Sequence, residues 1–243
     1  MAKKKYDEIY QDLRSKLENG TYKAPDLIPS ENILKETYQC SRNTVRSAIA
    51  QLAEEGYLMP IHGKGVRIIY DPSDRAEFIV GGIESFVEAS VRNRMVPHTK
   101  VVTFSQQIID KQQSEHYKFP VGSEVFYIER IRYLNKQPLI FDINIFLKSE
   151  VGNLTKEIAQ DSIYRYLEED LGMLITTSKR RITSEKATKA DTDYLNLKDF
   201  GFDFVSVITG QVFNSSGVMF EYTQSRHRPD YFCFYDTAVR SRK

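Results

Sequence analysis

The chain has 243 residues, of which 41% are hydrophobic and 28% are charged, and its formal net charge is +1. It is long enough for two domains, and its composition excludes a chain built from low-complexity or strongly basic sequence. Residues 1–70 carry a net charge of +2 and the remainder carries −1. Because this asymmetry is mild, a nucleic-acid partner can be argued only from where the charges lie.

The residue types that hold metals or form disulfides are sparse. Cys40 and Cys233 lie far apart without a paired spacing, and the four histidines are scattered. We therefore expect free thiols, no metal and no cofactor. No apolar run reaches the length of a membrane-spanning helix, which favours a cytoplasmic protein without a membrane partner.

Apolar spacing and capping residues predict two helices before residue 40. The first ends at Asn19-Gly20 and carries one apolar stripe, formed by Tyr6, Ile9, Leu13 and Leu17. Ser30 is a good N-cap for the second helix, with Glu31 in its first turn. The expected apolar face of this second helix consists of Ile33, Leu34 and Tyr38.

A third helix follows almost at once, with Ser41 as its N-cap and Gly56 as its end. Its apolar stripe is formed by Val45, Ala48, Ile49 and Leu52. The other face begins with hydrogen-bond donors, two of them cationic, namely Arg42, Asn43, Thr44, Arg46 and Ser47. Two short helices joined tightly, the second basic at its tip, are typical of a helix-turn-helix that enters a DNA groove. An ordinary solvated amphipathic helix is the alternative.

The segment after Gly56 predicts a β-hairpin. Strand-like residues 57–61 and 66–70 flank His62-Gly63-Lys64-Gly65, whose two glycines allow a tight turn. A phosphate-binding loop is the weaker alternative, since the strand–loop–helix context of a nucleotide site is missing. A winged helix-turn-helix explains the hairpin better, with His62, Gly63 and Lys64 laid against the DNA backbone or the minor groove.

Four short motifs make the first seventy residues resemble the DNA-binding domain of the GntR family of bacterial transcription regulators. They are residues 28–31 (Ile-Pro-Ser-Glu), 41–46 (Ser-Arg-Asn-Thr-Val-Arg), 52–58 (Leu-Ala-Glu-Glu-Gly-Tyr-Leu) and 63–65 (Gly-Lys-Gly). The resemblance implies that Arg42 and Arg46 touch bases or phosphates. It also implies help from Ser41, Asn43 and Thr44, with His62 and Gly63 at the wing tip. Asn32 stands where the family often carries an arginine that reaches DNA.

Beyond a polar linker at residues 71–76, residues 77–243 alternate strand and helix patterns. Strands are predicted at 96–109, 123–134, 138–147, 173–187, 203–214, 218–228 and 231–239. Helices are predicted around residues 83–91, 111–118 and 161–171. Long strands joined by short turns indicate an antiparallel sheet with helices packed on it, so that the whole chain is of the α+β class.

Polar residues on this sheet point to a ligand. Arg130 and Arg132 share a face with apolar neighbours by the two-residue period and would repel each other unless an anion lay between them. Asp142 lies on the apolar face of its own strand, where a structural ion pair with an arginine is the usual explanation. Residues 221–230 concentrate further polar groups. Together these groups fit a sugar phosphate, with arginines on the phosphate and carboxylates on hydroxyls. Exposed arginine stems covering apolar neighbours are the alternative.

The second region resembles the UTRA effector domain of the HutC branch of GntR regulators. The matching runs are residues 82–86, 129–132, 138–142, 162–164 and 221–230. The resemblance implies a chorismate-lyase-like antiparallel sheet flanked by helices. It also implies an effector site formed by Ser85, Phe86, Arg130, Arg132, Asp142, Ser162, Tyr164, Glu221 and His227.

Asp142 and His227 stand where Glu and Tyr are common in that branch, which argues against an amino-sugar effector. Residues 222–228 resemble most closely the trehalose-operon repressors of Gram-positive bacteria, which implies trehalose 6-phosphate as the effector.

We therefore expect a homodimeric repressor that binds double-stranded operator DNA and a phosphorylated sugar, and that is not an enzyme. One alternative is a regulator with another sugar phosphate or an organic acid as effector. A lyase-like enzyme using Ser162, His227 and Asp142 is a second alternative, although their order matches no nucleophile motif and a fold alone does not transfer activity.

Overall fold

The computed structural model describes residues 2–70, 78–79, 83–93 and 95–235. These residues form two compact units. The first contains the described residues up to 79 together with 234–235, and the second contains those from 83 to 233. The predicted linker at 71–76 lies outside the described residues, so the proposed boundaries at 1–70 and 77–243 stay predictions.

Three helices and an antiparallel hairpin make up most of the first unit. They are α1 (Ala2–Glu18), α2 (Glu31–Tyr38), α3 (Arg42–Glu54), β1 (Leu58–Ile61) and β2 (Gly65–Ile68). The predicted helix caps are confirmed, since the side chains of Ser30 and Ser41 accept hydrogen bonds from backbone N–H groups of α2 and α3. The first unit also includes a short parallel pair, β3 (Phe78–Ile79) with β10 (Phe234–Tyr235).

The core of the first unit is the set of apolar stripes that the helical period predicted. Ile9, Leu13 and Leu17 of α1 pack with the buried stripe of α3 and with residues of the hairpin. One expectation is wrong, because Ile33 is 54% exposed while Leu34 and Tyr38 are buried. A helix of eight residues buries only one narrow stripe here, and Ile33 lies beside that stripe.

A six-stranded sheet with antiparallel neighbours organises the second unit, in the order β4-β5-β6-β9-β8-β7. Its strands are β4 (Pro97–Ile108), β5 (Glu124–Leu134), β6 (Gln137–Leu147), β7 (Ile175–Lys186), β8 (Phe204–Asn214) and β9 (Met219–His227). The prediction of a mainly antiparallel sheet is therefore confirmed.

Short helices cover both faces of the sheet. They are α4 (Phe86–Arg92), α5 (Lys111–Tyr117), α6 (Lys148–Val151), α7 (Lys156–Gln160), α8 (Ile163–Arg165), α9 (Lys189–Tyr194) and α10 (Leu197–Phe200). The helix expected at 161–171 is confirmed over residues 163–170, where α8 continues into a π-helical turn (Tyr166–Asp170). The strand expected at 231–239 is wrong in its first part, since Pro229–Tyr231 form a 3₁₀ turn. Residues 236–239 lie outside the described residues.

The two faces of the sheet have different cores. The face that carries Arg130, Asp142 and Glu221, here called the front face, continues into an apolar cluster with α6, α7 and α8. The back face packs on one cluster beside α5 and on another beside α9 and α10. Buried polar groups therefore lie on the front face next to an apolar core, where each must find a partner.

Candidate functional site

The N-terminus of α3 presents polar side chains on an anchored helix. The Ser41 Oγ atom accepts a hydrogen bond from the Thr44 backbone N–H at 3.2 Å and lies 2.8 Å from the Thr44 hydroxyl oxygen. Because the apolar stripe of α3 is buried in the core, Arg42, Asn43 and Arg46 are left exposed. The five residues predicted on this helix thus form one surface at its tip.

The two arginines of this surface share a carboxylate from α2. The Arg46 Nε atom donates to both Glu31 carboxylate oxygens at 3.0 Å, and the Arg42 Nε atom lies 3.3 Å from one of them. The Arg42 Nη2 atom also donates to the Asn32 Oδ1 atom at 2.9 Å. Asn32 therefore contacts Arg42 in the position where the family often has an arginine.

The wing hairpin ends in an open tip. Gly63 has a φ of +72°, a conformation that favours glycine, and a Cβ atom there would meet nothing within 4 Å. The Lys64 backbone N–H donates to the Ile61 carbonyl at 3.1 Å and closes the turn. His62, Gly63 and Lys64 are all exposed, as a wing that contacts DNA requires.

On the front face of the sheet, Arg132 and Asp142 form a buried ion pair. The Arg132 Nε atom lies 2.8 Å from the Asp142 Oδ2 atom, and the side chains are 6% and 9% exposed. The Ser225 hydroxyl donates to the other carboxylate oxygen at 2.7 Å. Burial alone would raise the pKa of Asp142, but the two arginines and the Ser225 hydrogen bond outweigh it and hold that pKa below its usual range. The alternative interpretation of Asp142 as a structural ion pair is thus confirmed.

Two further contacts hold the Arg132 guanidinium. Its Nη1 atom donates to the Thr99 hydroxyl at 2.8 Å, and its centre lies 5.0 Å from the centre of the Phe86 ring. Phe86 is the first residue of α4, whose N-cap Ser85 forms a capping box with Glu88. Of the Ser85 and Phe86 positions predicted from the sequence, Phe86 therefore contacts Arg132, and the Ser85 oxygen is engaged as a cap.

Arg130 has a different environment from Arg132. Its Nε and Nη2 atoms donate to the Asn144 Oδ1 atom at 3.2 and 2.7 Å, and its Nη1 atom donates to the Ala159 carbonyl at 3.3 Å. No carboxylate of the described residues lies within ion-pair distance of it. Burial, followed by the charge of Arg132, lowers the pKa of Arg130 to about 9. Arg130 is thus a buried cation whose direct partners are neutral.

Glu221 and Tyr164 form a second buried pair on the front face. The Tyr164 hydroxyl donates to the Glu221 Oε2 atom at 2.7 Å, and the Asn144 amide donates to the Oε1 atom at 3.0 Å. Burial raises the pKa of Glu221, and burial with the Glu221 charge raises that of Tyr164. Ser162 lies at the N-cap of α8, where its hydroxyl accepts from the Arg165 backbone N–H at 3.3 Å.

His227 lies at the end of β9, opposite Ile140 of β6 and Ser206 of β8. Its ring packs edge-on against Phe232 with ring centres 5.2 Å apart. Burial lowers the pKa of His227 to about 4, against the opposing effect of Asp142. The imidazole is therefore neutral at physiological pH.

A cleft of about 540 Å³ opens beside the arginine pair. It is lined by Val87, Pro97, His98, Thr99, Glu157, Gln160 and Asp161. Thr99 both lines this cleft and accepts from Arg132, so the cleft is separated from that guanidinium by one side chain.

The Asn144 amide also donates to the Thr223 hydroxyl at 2.9 Å. The sequence did not identify Thr99, Thr223, Ser225 or the role of Asn144 in this network. Alternation placed Asn144 on the right face, but nothing local indicates which side chains on neighbouring strands it would contact. Among the described residues, no group of three or more His, Cys, Asp or Glu side chains is arranged to hold a metal. Within the same part of the chain, no helix is long and apolar enough to cross a membrane.

Two of the three residues in the alternative enzyme set, Asp142 and Ser162, are engaged in structural contacts. The Asp142 carboxylate accepts from Arg132 and Ser225, and the Ser162 hydroxyl accepts a backbone N–H as a helix cap. A winged helix-turn-helix joined to a sheet domain with a cleft beside a buried ion pair defines instead the class of ligand-responsive DNA-binding regulators.

Comparison with known proteins agrees with this class. Residues 5–68 match the model of the gntR family of bacterial regulatory proteins, and residues 92–233 match the UTRA domain. The chain is 33% identical over 242 residues to the HTH-type transcriptional regulator TreR of Bacillus subtilis (strain 168), covering 100% of both chains. The chain therefore belongs to the gntR family with a UTRA domain, and it is a DNA-binding transcriptional repressor rather than an enzyme.

Two solved structures extend the comparison. The B. subtilis trehalose repressor (TreR) effector binding domain is 32% identical, with a TM-score of 0.54, over 60% of this chain and 99% of that one. The possible transcriptional regulator YydK from B. subtilis is 20% identical, with a TM-score of 0.79, over 97% and 99% of the chains. At that identity YydK supports the fold alone.

Proposed function

We propose that this protein is a homodimeric repressor that leaves its operator when a sugar phosphate, trehalose 6-phosphate, binds the UTRA domain. Two winged helices of the dimer would bind the two half-sites of a palindromic operator, and such a protein acts in the cytoplasm. The effector would occupy the cleft beside Arg132 and bring its phosphate to the arginine pair.

The observation that carries the phosphate assignment is the buried charge of Arg130. Two of its five N–H donors have no partner among the described residues, and its direct contacts are the neutral Asn144 and Ala159 oxygens. Arg132 also has open donors. Its Nε hydrogen and one Nη1 hydrogen are engaged, so three of its five N–H donors have no partner among the described residues. Two adjacent guanidinium groups with open donors suit a phosphate, which accepts several charge-assisted hydrogen bonds.

The choice of trehalose rests on similarity rather than on the geometry of the cleft. The TreR regulator is 33% identical to this chain. The effector binding domain of the B. subtilis trehalose repressor is 32% identical to it. The carboxylate of Glu221 and the neutral ring of His227 supply the front face with groups that can bond sugar hydroxyls.

The test is a fluorescence-anisotropy titration of the full-length protein on a duplex that it selects from a randomised pool. Trehalose 6-phosphate, free trehalose and N-acetylglucosamine 6-phosphate are added separately. We expect release by trehalose 6-phosphate alone. Release by free trehalose would refute the phosphate role, and release by the amino-sugar phosphate alone would refute the sugar assignment. Failure to select any duplex would refute the repressor.

A matched pair of variants tests the arginine assignment. Arg130→Met should bind the selected duplex as the wild type does but lose its response to trehalose 6-phosphate. Arg181→Met removes an exposed arginine from β7 on the back face and should respond normally. Equal response in both variants would contradict the phosphate site.

Light scattering on the free protein tests the dimer, for which we expect twice the mass of the 28.2 kDa chain. The selected duplex should also contain two inverted half-sites, as a two-fold symmetric protein requires. A monomer in solution that selects a single, non-repeated half-site would contradict this part of the proposal.

A further inference from the structure

Glu31 is a carboxylate on a surface that faces DNA, and this position requires a physical reason. A negative charge next to DNA phosphates weakens binding, because affinity comes largely from phosphate neutralisation by cations. Glu31 is the first residue of α2, where it stabilises the helix dipole. The helix dipole alone does not account for its two arginine partners, Arg42 and Arg46.

The contacts leave the two arginines with different sets of open donors. The Arg46 Nε atom is engaged by Glu31, so that both Nη groups remain open among the described residues. The Arg42 guanidinium is held at Nε by Glu31 and at Nη2 by Asn32, which leaves mainly its Nη1 group. The side chains are 61% and 54% exposed, so these open donors face solvent.

We propose that Glu31 is a positioning residue that presents Arg46 end-on to one guanine of each half-site, while Asn32 and Glu31 together restrict Arg42 to a phosphate. Guanine offers two acceptors, O6 and N7, in the major groove, and two parallel N–H donors match them. A single open donor group matches a phosphate oxygen and carries no base preference. The inference rests on the proposed binding of DNA by the tip of α3.

The charge of Glu31 has a second consequence. It cancels one of the two positive charges at the helix tip and so lowers affinity for phosphate on any sequence. Sequence preference therefore rises only through the orientation of Arg46, while the charge of Glu31 weakens binding to the selected duplex and to unrelated DNA alike.

The experiment replaces each guanine of the selected duplex by 7-deazaguanine, which lacks the N7 acceptor. The wild-type full-length protein should lose about tenfold in affinity at one guanine per half-site, the size of a bidentate contact. Arg46→Ala should show no such penalty. Arg42→Ala should keep the penalty, weaken binding evenly on all duplexes and lower the salt slope by about 0.9 for each phosphate that is no longer neutralised.

Two substitutions at Glu31 separate orientation from charge. Glu31→Ala should lose most of the 7-deazaguanine penalty. Glu31→Gln keeps an oxygen that accepts from Arg46 Nε, so it should retain the penalty while binding unrelated DNA more tightly. Glu36→Gln, on an exposed residue of the same helix, is the control and should resemble the wild type. Thermal unfolding of each variant identifies any loss of α2 stability.

The outcomes are distinguishable. If Glu31→Ala shows the same 7-deazaguanine penalty as the wild type, the proposal is overturned. It is also overturned if the penalty falls as much in Glu31→Gln as in Glu31→Ala. A penalty that disappears in Arg42→Ala rather than in Arg46→Ala would reverse the assignment and overturn it as well. Complete absence of a penalty in the wild type would overturn the guanine contact but leave the repressor proposal standing, since that proposal is tested by binding and release.

Discussion

Replacing Arg130 or Arg132 by methionine should affect stability in very different ways. In Arg130→Met, a buried cation without a carboxylate partner is removed. A pKa of about 9 in place of the ordinary arginine value corresponds to about 5 kcal/mol of unfavourable charging that the substitution relieves. The same substitution leaves the Asn144 and Ala159 oxygens without these donors, at about 1–3 kcal/mol each. The two effects are of similar size, so we expect a net change between about 3 kcal/mol of stabilisation and about 1 kcal/mol of destabilisation.

In Arg132→Met, the Asp142 carboxylate keeps only the Ser225 hydroxyl. Removing one partner of a buried ion pair costs about 3–5 kcal/mol, because the other charge is left uncompensated. Without Arg132 the folded-state pKa of Asp142 rises above its unfolded value, so the loss of stability should grow as pH increases through that range. A second substitution, Asp142→Asn, should recover part of the lost stability.

The assay is urea denaturation of the full-length protein at neutral pH, with the transition of the UTRA domain followed separately. Inorganic phosphate, at matched ionic strength, should raise the free energy of unfolding of the wild type but not that of Arg130→Met. Equal destabilisation by the two methionine variants would refute the assignment of Arg130 as the unpaired cation. Phosphate that stabilises Arg130→Met as much as the wild type would refute its role in anion binding.

Three further substitutions test individual contacts. Lys64→Ala should weaken DNA binding evenly across sequences and flatten the salt dependence, measured by titrations at several salt concentrations. His227 has a folded pKa of about 4 against 6.5, so the unfolded state takes up the proton first and stability falls as pH drops through that window. His227→Gln should remove about 2 kcal/mol of this loss between about pH 7 and pH 5, measured by urea denaturation. Tyr164→Phe removes the hydroxyl that bonds buried Glu221 and should cost about 1–3 kcal/mol in the same assay.

The helix-turn-helix could be predicted because its signals are local. Ser41 and the stripe from Val45 to Leu52 lie within one helix, and both the cap and the buried face follow from spacing alone. Helices of three to six residues such as α8 and α9 show no such period, since one turn does not define an apolar stripe. Tertiary packing on the sheet stabilises them instead.

For the side chains proposed to bind the effector, the sequence could predict only which face of the sheet they share. Two-residue alternation places Arg130 and Arg132 on one side of β5, but it does not tell which carboxylate each would contact. The partners come from the register with β6 and β4, where Asp142 is 10 residues and Thr99 is 33 residues from Arg132 in the chain. Arg132 thus has an ionic partner and Arg130 has neutral partners, although both lie on the same strand. The local sequence pattern does not predict this difference.

Glu31 contacts two arginines and Asp142 contacts one, and burial gives the two carboxylates different roles. Glu31 holds arginines whose side chains are more than half exposed, so their open Nη groups can meet DNA without breaking the ion pairs. Asp142 is 9% exposed and is held by Arg132 and Ser225, so an incoming anion does not replace it without a large desolvation cost. The anion of the proposed effector would therefore use the donors that Asp142 leaves open, and Arg130 holds the charge that has no carboxylate within ion-pair distance among the described residues. An effector that supplies this counterion stabilises the arrangement in which it is bound, and release of DNA follows only if that arrangement positions the DNA-binding heads incorrectly for the operator.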